Sequence, residues 1–294
     1  MLRLIFKLFS VHLTFCWFGT MSAFFLTFLS RLLHKPILIV IGGIDVASVP
    51  EIKYGTFVHP LRAIFSRFTL KHADGLLLVD PSLNEDIKKN IGFRLSNTHL
   101  LPTGYDYNFW RPQGKKEPIV LTVADCPDVT RVKLKGIDTF INSARYLPGV
   151  KFWVVGVSGE ARKLISQSGL PANVTLFEPV AHQALLPFYQ KAKVYCQLSW
   201  REGLPNALCE AMLCNCIPVG TRRGGIPSAI GPTGFYVEFG DPEDTARAIR
   251  KALGLPDCAG TKARQRIIEN FPIEKRTREM ASLIESFLKD EDHN

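Results

Sequence analysis

Two glutamates, Glu202 and Glu210, bracket a segment whose residue types suit ligand chemistry: Arg201-Glu202-Gly203-Leu204-Pro205-Asn206-Ala207-Leu208-Cys209-Glu210-Ala211-Met212. A carboxylate accepts paired hydrogen bonds from a diol, and a charged hydrogen bond of that kind contributes about 1.5–3 kcal/mol. Gly203 permits a tight turn, and Pro205 suits the first turn of a helix. The backbone N–H groups that open such a helix lack internal partners, so with the helix dipole they form a natural phosphate site. Glu202 lies before the helix and Glu210 about one turn inside it. Both are expected on the cleft side, one toward a sugar and one toward a ribose. The plainer reading makes Glu202 a cap-region acid and Glu210 a solvated helix residue. Against that, Glu210 sits among Ala207, Leu208, Cys209, Ala211, Met212 and Leu213. An acid in so apolar a helix needs a polar partner.

The elements that must position these groups alternate strand and helix. Strands are predicted at Ile37–Ile41, Gly75–Val79, Thr98–Leu101, Ile119–Val123, Lys151–Val155, Val174–Phe177, Val194–Leu198, Ile217–Gly220 and Gly234–Val237. Helices are predicted at Leu61–His72, Ser82–Ile91, Ile137–Arg145, Glu160–Ser168, Leu185–Ala192, Asn206–Cys214, Pro242–Leu253 and Ile273–Leu288, with a helical turn at Ile226–Ala229. Such alternation implies parallel sheets covered by helices, with ligands at the carboxyl ends of the strands. The polar stretch Trp110–Lys116, with Pro112 and Gly114, reads as a linker between two sheets.

Composition narrows the partners. The chain has 294 residues, 46% of them hydrophobic, enough for two packed cores. The net charge of +9 is spread along the chain and suits anionic small molecules or a membrane surface better than nucleic acid, for which no binding signature is found. Seven cysteines, an odd number, do not suggest a disulfide framework. Cys209, Cys214 and Cys216 cluster, but without a Cys-x-x-Cys pair or a histidine beside them they read as core residues and no metal site is assigned. Reduced thiols fit a cytoplasmic compartment.

The N-terminal run from Leu8 to Ser30 carries no formal charge and is long enough to span a bilayer. The competing reading is a buried strand at Val11–Trp17, a helix at Met21–Leu33 and a return through Lys35-Pro36 into the strand Ile37–Ile41. The Gly19-Thr20 break and the immediate following strand favour that second reading.

Beyond its local chemistry, the segment Glu202-(x7)-Glu210 resembles the E-x7-E signature of glycosyltransferase family 4. Other pieces fall in the family's order: Lys135-Gly136-Ile137-Asp138, the strand and glycine turn Phe152–Gly156, the strand Val174–Phe177, Ile217–Gly220, and Gly224-Gly225-Ile226-Pro227. Pro102-Thr103-Gly104-Tyr105-Asp106, with Phe109 and Pro112, resembles the family's interdomain turn. The resemblance implies a retaining, metal-independent glycosyltransferase of the GT-B-like α/β class, with two Rossmann-like parallel-sheet domains. It implies that Glu210 holds ribose hydroxyls, that Glu202 holds the donor sugar, and that Lys135 pairs with the diphosphate. Gly203, Leu204, Pro205 and Asn206 would present backbone to the phosphates, Gly224 and Gly225 would admit the donor, and Arg131 is a further donor-side cation. Arg131 stands nearer to Lys135 than the family's usual arginine. Gly42, Gly43 and Asp45 lie where the family contacts donor or acceptor, and Asp45 reads equally as a sugar contact or as a turn former.

The implied layout is a partial N-terminal, acceptor-side domain over 1–112, a nucleotide-sugar domain over 113–272, and a final helix over 273–294 that packs back on the first. A full domain of this type runs nearer about 150 residues, so the N-terminal one is expected to be short of its first elements and to enter the fold at Val11–Trp17. An unpaired sheet edge and an uncovered apolar face are then expected, and with them peripheral membrane contact. The resemblance implies a nucleotide-diphosphate sugar as co-substrate and no other cofactor. The acceptor class stays open among glycan, lipid and small molecule. The alternative is a catalytically inactive nucleotide-sugar-binding or partner-binding module.

Overall fold

Ile37–Ile41 is an unbroken aliphatic run, and only a strand covered on both faces can hide all five side chains. In the computed structural model, which describes residues 8, 10–92 and 95–289, that run is strand β2 and is fully buried. It lies between β1 (Thr14–Trp17) and β3 (Gly75–Leu78), and β4 (Thr98–Leu100) completes a parallel sheet of order β1-β2-β3-β4. Helices α1 (Met21–Leu32), α2 (Pro60–His72) and α3 (Ser82–Ile91) connect these strands. Phe24 of α1 meets Phe65 of α2 in a tilted contact and Phe68 edge-on, at centroid distances of 4.7 and 5.2 Å.

The strand–helix–strand reading of the N-terminal segment holds, but its burial needs correction. Strand β1 is a sheet edge, and its burial alternates, with Trp17 52% exposed. Helix α1 buries Ala23, Thr27 and Ser30 while Met21, Phe25, Phe28 and Leu32 are exposed. The uncharged run is apolar on both faces, so periodicity alone could not tell a half-buried edge from a core element. Among the described residues, no helix is long and apolar enough to cross a membrane.

The second unit is a six-stranded parallel sheet of order β10-β9-β8-β5-β6-β7. Its strands are β5 (Glu117–Cys126), β6 (Lys151–Val157), β7 (Val174–Phe177), β8 (Ala192–Gln197), β9 (Ile217–Thr221) and β10 (Phe235–Val237). Helices α4 (Val129–Lys135), α5 (Ile137–Ala144), α6 (Gly159–Gln167), α7 (Leu186–Lys191), α8 (Asn206–Leu213), α9 (Ile226–Ile230), α10 (Pro242–Gly254) and α11 (Cys258–Asn270) belong to the same unit. Val120, Phe140, Phe152, Val194, Ile217 and Ile249 form part of its core. The strand order runs outward from β5 to β7 and then restarts at β8 on the other side of β5. That reversal leaves a crevice at the carboxyl ends of β5 and β8, where open α/β sheets bind ligands.

The chain passes between the two compact units at Gly104–Tyr105 and again at Ile273–Glu274. The Trp110–Lys116 stretch is anchored in the second unit. Trp110 is buried, and Lys116 donates to the Tyr189 carbonyl at 2.6 Å. Helix α12 (Ile273–Lys289) belongs from Glu274 onward with the first unit, where Arg276 donates to the carbonyls of Leu101 and Pro102 at 2.7 and 2.6 Å.

Two helices escaped the sequence reading. In α4, Val-Thr-Arg-Val-Lys-Leu-Lys has strand-like composition and only seven residues, yet the Asp128 carboxylate caps it by accepting from the Arg131 amide at 2.8 Å. In α11, Arg264 donates to the Tyr107 and Trp110 carbonyls at 2.9 and 2.8 Å and to that of Leu213, which ties Tyr107–Trp110 to the end of α8.

Candidate functional site

The loop after β8 is fixed by its neighbours before any ligand arrives. The Trp200 amide donates to the Leu134 carbonyl at 2.8 Å, and Thr221 Oγ1 donates to the Ser199 carbonyl at 2.8 Å. The Gly225 amide donates to the Glu202 carbonyl at 3.2 Å. Gly136, which ends α4 at φ 64°, passes so close to the residue after β8 that a Cβ there would lie 2.2 Å from the Leu198 carbonyl oxygen. A Cβ on Gly224 would lie 2.1 Å from the Glu202 carbonyl oxygen. Gly136 and Gly224 therefore let backbone meet backbone in the loop that carries Glu202, which gives Gly224, expected to admit the donor, a packing reason as well.

This framework brings together Lys135 and Glu202, the residues expected at the diphosphate and the donor sugar. Lys135 Nζ lies 2.6 Å from Glu202 Oε1. The same oxygen accepts from Ser199 Oγ at 2.6 Å and from Gln197 Nε2 at 3.1 Å. Three donors on one oxygen leave Glu202 Oε2 without a hydrogen bond among the described residues. Lys135 has three N–H donors, of which Glu202 uses one. The site thus presents a carboxylate oxygen and an ammonium side by side, suited to a hydroxyl next to a phosphate. Arg131 is half-buried one turn back on α4, and its charge, like that of Lys135, acts on the Cys126 thiol.

Glu210 projects from α8 into a second polar group. It is 3% exposed, its Oε1 lies 2.7 Å from His182 Nε2, and its Oε2 accepts from Tyr189 Oη at 3.2 Å. Burial raises its pKa, and the hydrogen bond and charge of His182 and the Tyr189 hydrogen bond oppose that rise. Tyr189 itself is raised well above the ordinary tyrosine range, first by burial. The side chain of His182 is 66% exposed and stands 5.1 Å from the Trp110 ring. Tyr195 is buried, and burial first, with the charges of Glu202 and Glu210 adding to it, raises its pKa well above the ordinary tyrosine range. Its ring is 6.0 Å from Tyr189, and its hydroxyl is 3.3 Å from Gln197 Oε1.

Of the remaining donor-side residues, Gly203, Leu204 and Pro205 are buried in the loop, and Asn206 Oδ1 accepts from Tyr105 Oη at 2.9 Å. Pro205 is the N-cap of α8, which opens at Asn206 as predicted and has no acid in its first turn. Gln197, Ser199, His182 and Tyr189 received no role from the sequence. Gln197 and Ser199 carried a usable signal, because polar residues at the end of an otherwise apolar strand need buried partners.

Asp45, Gly42 and Gly43 form a separate cluster in the first unit. The Asp45 carboxylate is fully buried and accepts from the amides of Gly19, Gly42 and Gly43 at 3.1, 2.7 and 3.3 Å. Burial raises its pKa from 3.8 to about 6 against the pull of those amides. Its geometry is that of a tie between the loops after β1 and β2, which matches the turn-former side of the sequence reading.

One of the two parallel α/β units gathers acids and a lysine where its strand order reverses, the place where open α/β sheets bind ligands. Residues 111–272, more than half of the chain, match the family Glycosyl transferases group 1, and the chain belongs to that family. It is 23% identical over 198 residues to a phosphatidylinositol N-acetylglucosaminyltransferase subunit of Arabidopsis thaliana, covering 64% of this chain and 44% of that protein. It is 27% identical over 221 residues to the D-inositol 3-phosphate glycosyltransferase of Mycobacterium tuberculosis, covering 70% of this chain and 46% of that protein. The chain thus spans less than half the length of these relatives. Among solved structures, sucrose-phosphate synthase from Thermosynechococcus elongatus superposes with a TM-score of 0.82 at 19% identity, over 98% of this chain and 77% of that one. Anabaena HepE in complex with UDP-glucose superposes at 0.79 with 14% identity, over 97% and 81%. The fold is GT-B-like, as the resemblance implied.

Proposed function

We propose that the chain is a retaining glycosyltransferase that moves a sugar from a nucleoside diphosphate sugar to a hydroxyl-bearing acceptor. The observation that carries this is the Lys135–Glu202 pair at the carboxyl ends of β5 and β8, with its uncommitted donors and carboxylate oxygen. Glu202 Oε2 would accept from donor-sugar hydroxyls. Lys135, with Arg131 behind it, would neutralise the diphosphate as the bond from the sugar C1 to the phosphate oxygen breaks and its electron pair leaves on that phosphate. The acceptor oxygen would form the new bond to C1 on the same face, and its proton would pass to a phosphate oxygen. In this reading the positive charge at the leaving group comes from side chains, with no divalent metal required. Glu210 would take the ribose diol after His182, which is largely exposed, swings off Oε1. The UDP-glucose in HepE supports a nucleotide-sugar donor.

A calorimetric titration with UDP-, GDP- and ADP-glucose, followed by a hydrolysis assay on the donor that binds, tests the proposal. Glu210→Ala should weaken the binding nucleotide by about 1.5–3 kcal/mol, the range for a lost charged hydrogen bond. No binding by any of the three donors, or unchanged binding by the variant, would defeat the assignment. Contact with a membrane surface belongs to the same reading and is supported by the exposed aromatic side chains of β1 and α1. Flotation with anionic vesicles should recover the parent chain and release Trp17→Ser/Phe28→Ser. Equal recovery of both would remove the membrane from the proposal.

A further inference from the structure

The first unit carries its own pocket, of about 440 Å³, at the carboxyl ends of β1 and β2 and lined only by first-unit residues. Three of its lining residues are basic: Lys53, His59 and Arg62. Their side chains make no hydrogen bond or ion pair among the described residues, and no carboxylate lines the pocket. Thr20, Tyr54 and Thr56 add hydroxyls, and Phe65 adds an apolar wall. The volume is that of a small-molecule site rather than a surface dimple.

The backbone around Lys53 is held in an unusual shape. Lys53 adopts left-handed angles, φ 52° and ψ 38°, which disfavour a side chain. Paired Val49 and Tyr54 backbone bonds of 2.8 and 3.0 Å clamp the loop. Gly55 closes it at φ 109°, so tight against the loop after β2 that a Cβ would lie 2.2 Å from the Ala47 oxygen. A strained lysine held at a pocket rim points to a ligand-binding role. Two helices also open at the pocket, α1 after Thr20 and α2 after His59, and neither has an acidic residue in its first turn. Their dipoles add positive potential to that of the Lys53 and Arg62 charges.

We propose that this pocket binds a phosphate ester of a small polyol, with Lys53, His59 and Arg62 on the phosphate and the hydroxyl side chains on the polyol. Its use as the acceptor site rests on the transferase reading above, whereas the binding itself does not. The phosphate is carried either by a free polyol phosphate or by the headgroup of a lipid, and the two sources are separable.

Calorimetry with inorganic phosphate, glycerol 3-phosphate and myo-inositol 1-phosphate, against neutral glycerol and inositol, measures the site directly. Phosphatidylcholine vesicles with and without phosphatidylinositol supply the lipid arm. The phosphate esters should bind and the neutral polyols should not, with affinity falling as salt rises. Lys53→Gln/Arg62→Gln should weaken ester binding about tenfold or more while leaving UDP-glucose binding in the second unit unchanged. Loss of phosphatidylinositol-dependent vesicle capture in that variant would identify a lipid source. Ester binding without such capture would identify a free polyol phosphate. A folded chain that binds UDP-glucose but no phosphate ester, or a double variant that binds esters like the parent, would overturn the pocket and leave the transferase reading standing. Ester binding that depends on Lys53 and Arg62 in a chain that binds no nucleotide sugar would uphold the pocket and remove its role as acceptor site.

Discussion

Asp45 and Glu202 both follow a parallel strand in a glycine-containing loop, yet the two acids have opposite surroundings. Every hydrogen bond shown for the Asp45 carboxylate comes from a backbone amide, and it is sealed from solvent. Glu202 takes its hydrogen bonds from side chains, keeps one oxygen uncommitted and faces an ammonium. An acid bonded only by backbone amides ties loops together, and its chemistry is spent on the fold. An acid bonded by side chains that a ligand can share remains available for binding. The two units thus put the same residue type to structural use in one and to site use in the other.

The largest effect expected from breaking this contrast is at Gly136. Gly136→Ala combines a positive-φ penalty with a collision against the Leu198 carbonyl and should destabilise the second unit by roughly 2–5 kcal/mol in urea unfolding. Gly92→Ala, also at positive φ but facing open space, should cost only about 1 kcal/mol. Similar losses at both sites would show that close approach beside Glu202 is unimportant.

Next is the pH response of Asp45. Its pKa is raised in the fold, so the native chain binds the extra proton between about pH 4 and 6, and stability falls as pH rises through that window. A rise from 3.8 to about 6 corresponds to roughly 3 kcal/mol. Asp45→Asn should abolish that dependence in unfolding curves of the first unit, and a dependence that survives the change belongs to another group. Smaller is Lys135→Met, which should weaken UDP binding by about 1.5–3 kcal/mol while leaving uridine binding nearly unchanged. Equal losses for both ligands would place Lys135 away from the diphosphate.

Much of this organisation was legible from local chemistry. Ile37–Ile41, Ser82–Ile91 and Val174–Phe177 fall at the predicted bounds, because a continuous aliphatic run, a helix ended by Gly92 and a short β-branched and aromatic run carry their own signals. The Glu202–Glu210 segment was also visible, and so was the need of Glu210 for a polar partner. Which partner could not be read, since His182 and Tyr189 arrive from a 3-10 turn and helix α7 more than 20 residues away. Helix α4 was hidden because Asp128 and Gly136 decide its ends while its interior residues suit a strand. The outward face of α1 was misjudged because an aromatic side chain looks the same in sequence whether a neighbour covers it or not.

The distribution of thiols has a practical consequence. Cys126, Cys196, Cys209, Cys214 and Cys216 are buried in the second unit, whereas Cys258 on the same unit is exposed. Burial pushes the Cys126 thiol up to about 12 even with Lys135 and Arg131 nearby, so at neutral pH a thiol reagent reaches it only when the structure opens. The natural chain therefore contains a set of timers around β5 and β8, with Cys258 as the reference that reacts at once. A donor that binds only the closed form should slow alkylation of Cys126 and Cys196 in proportion to its occupancy and leave the rate at Cys258 unchanged.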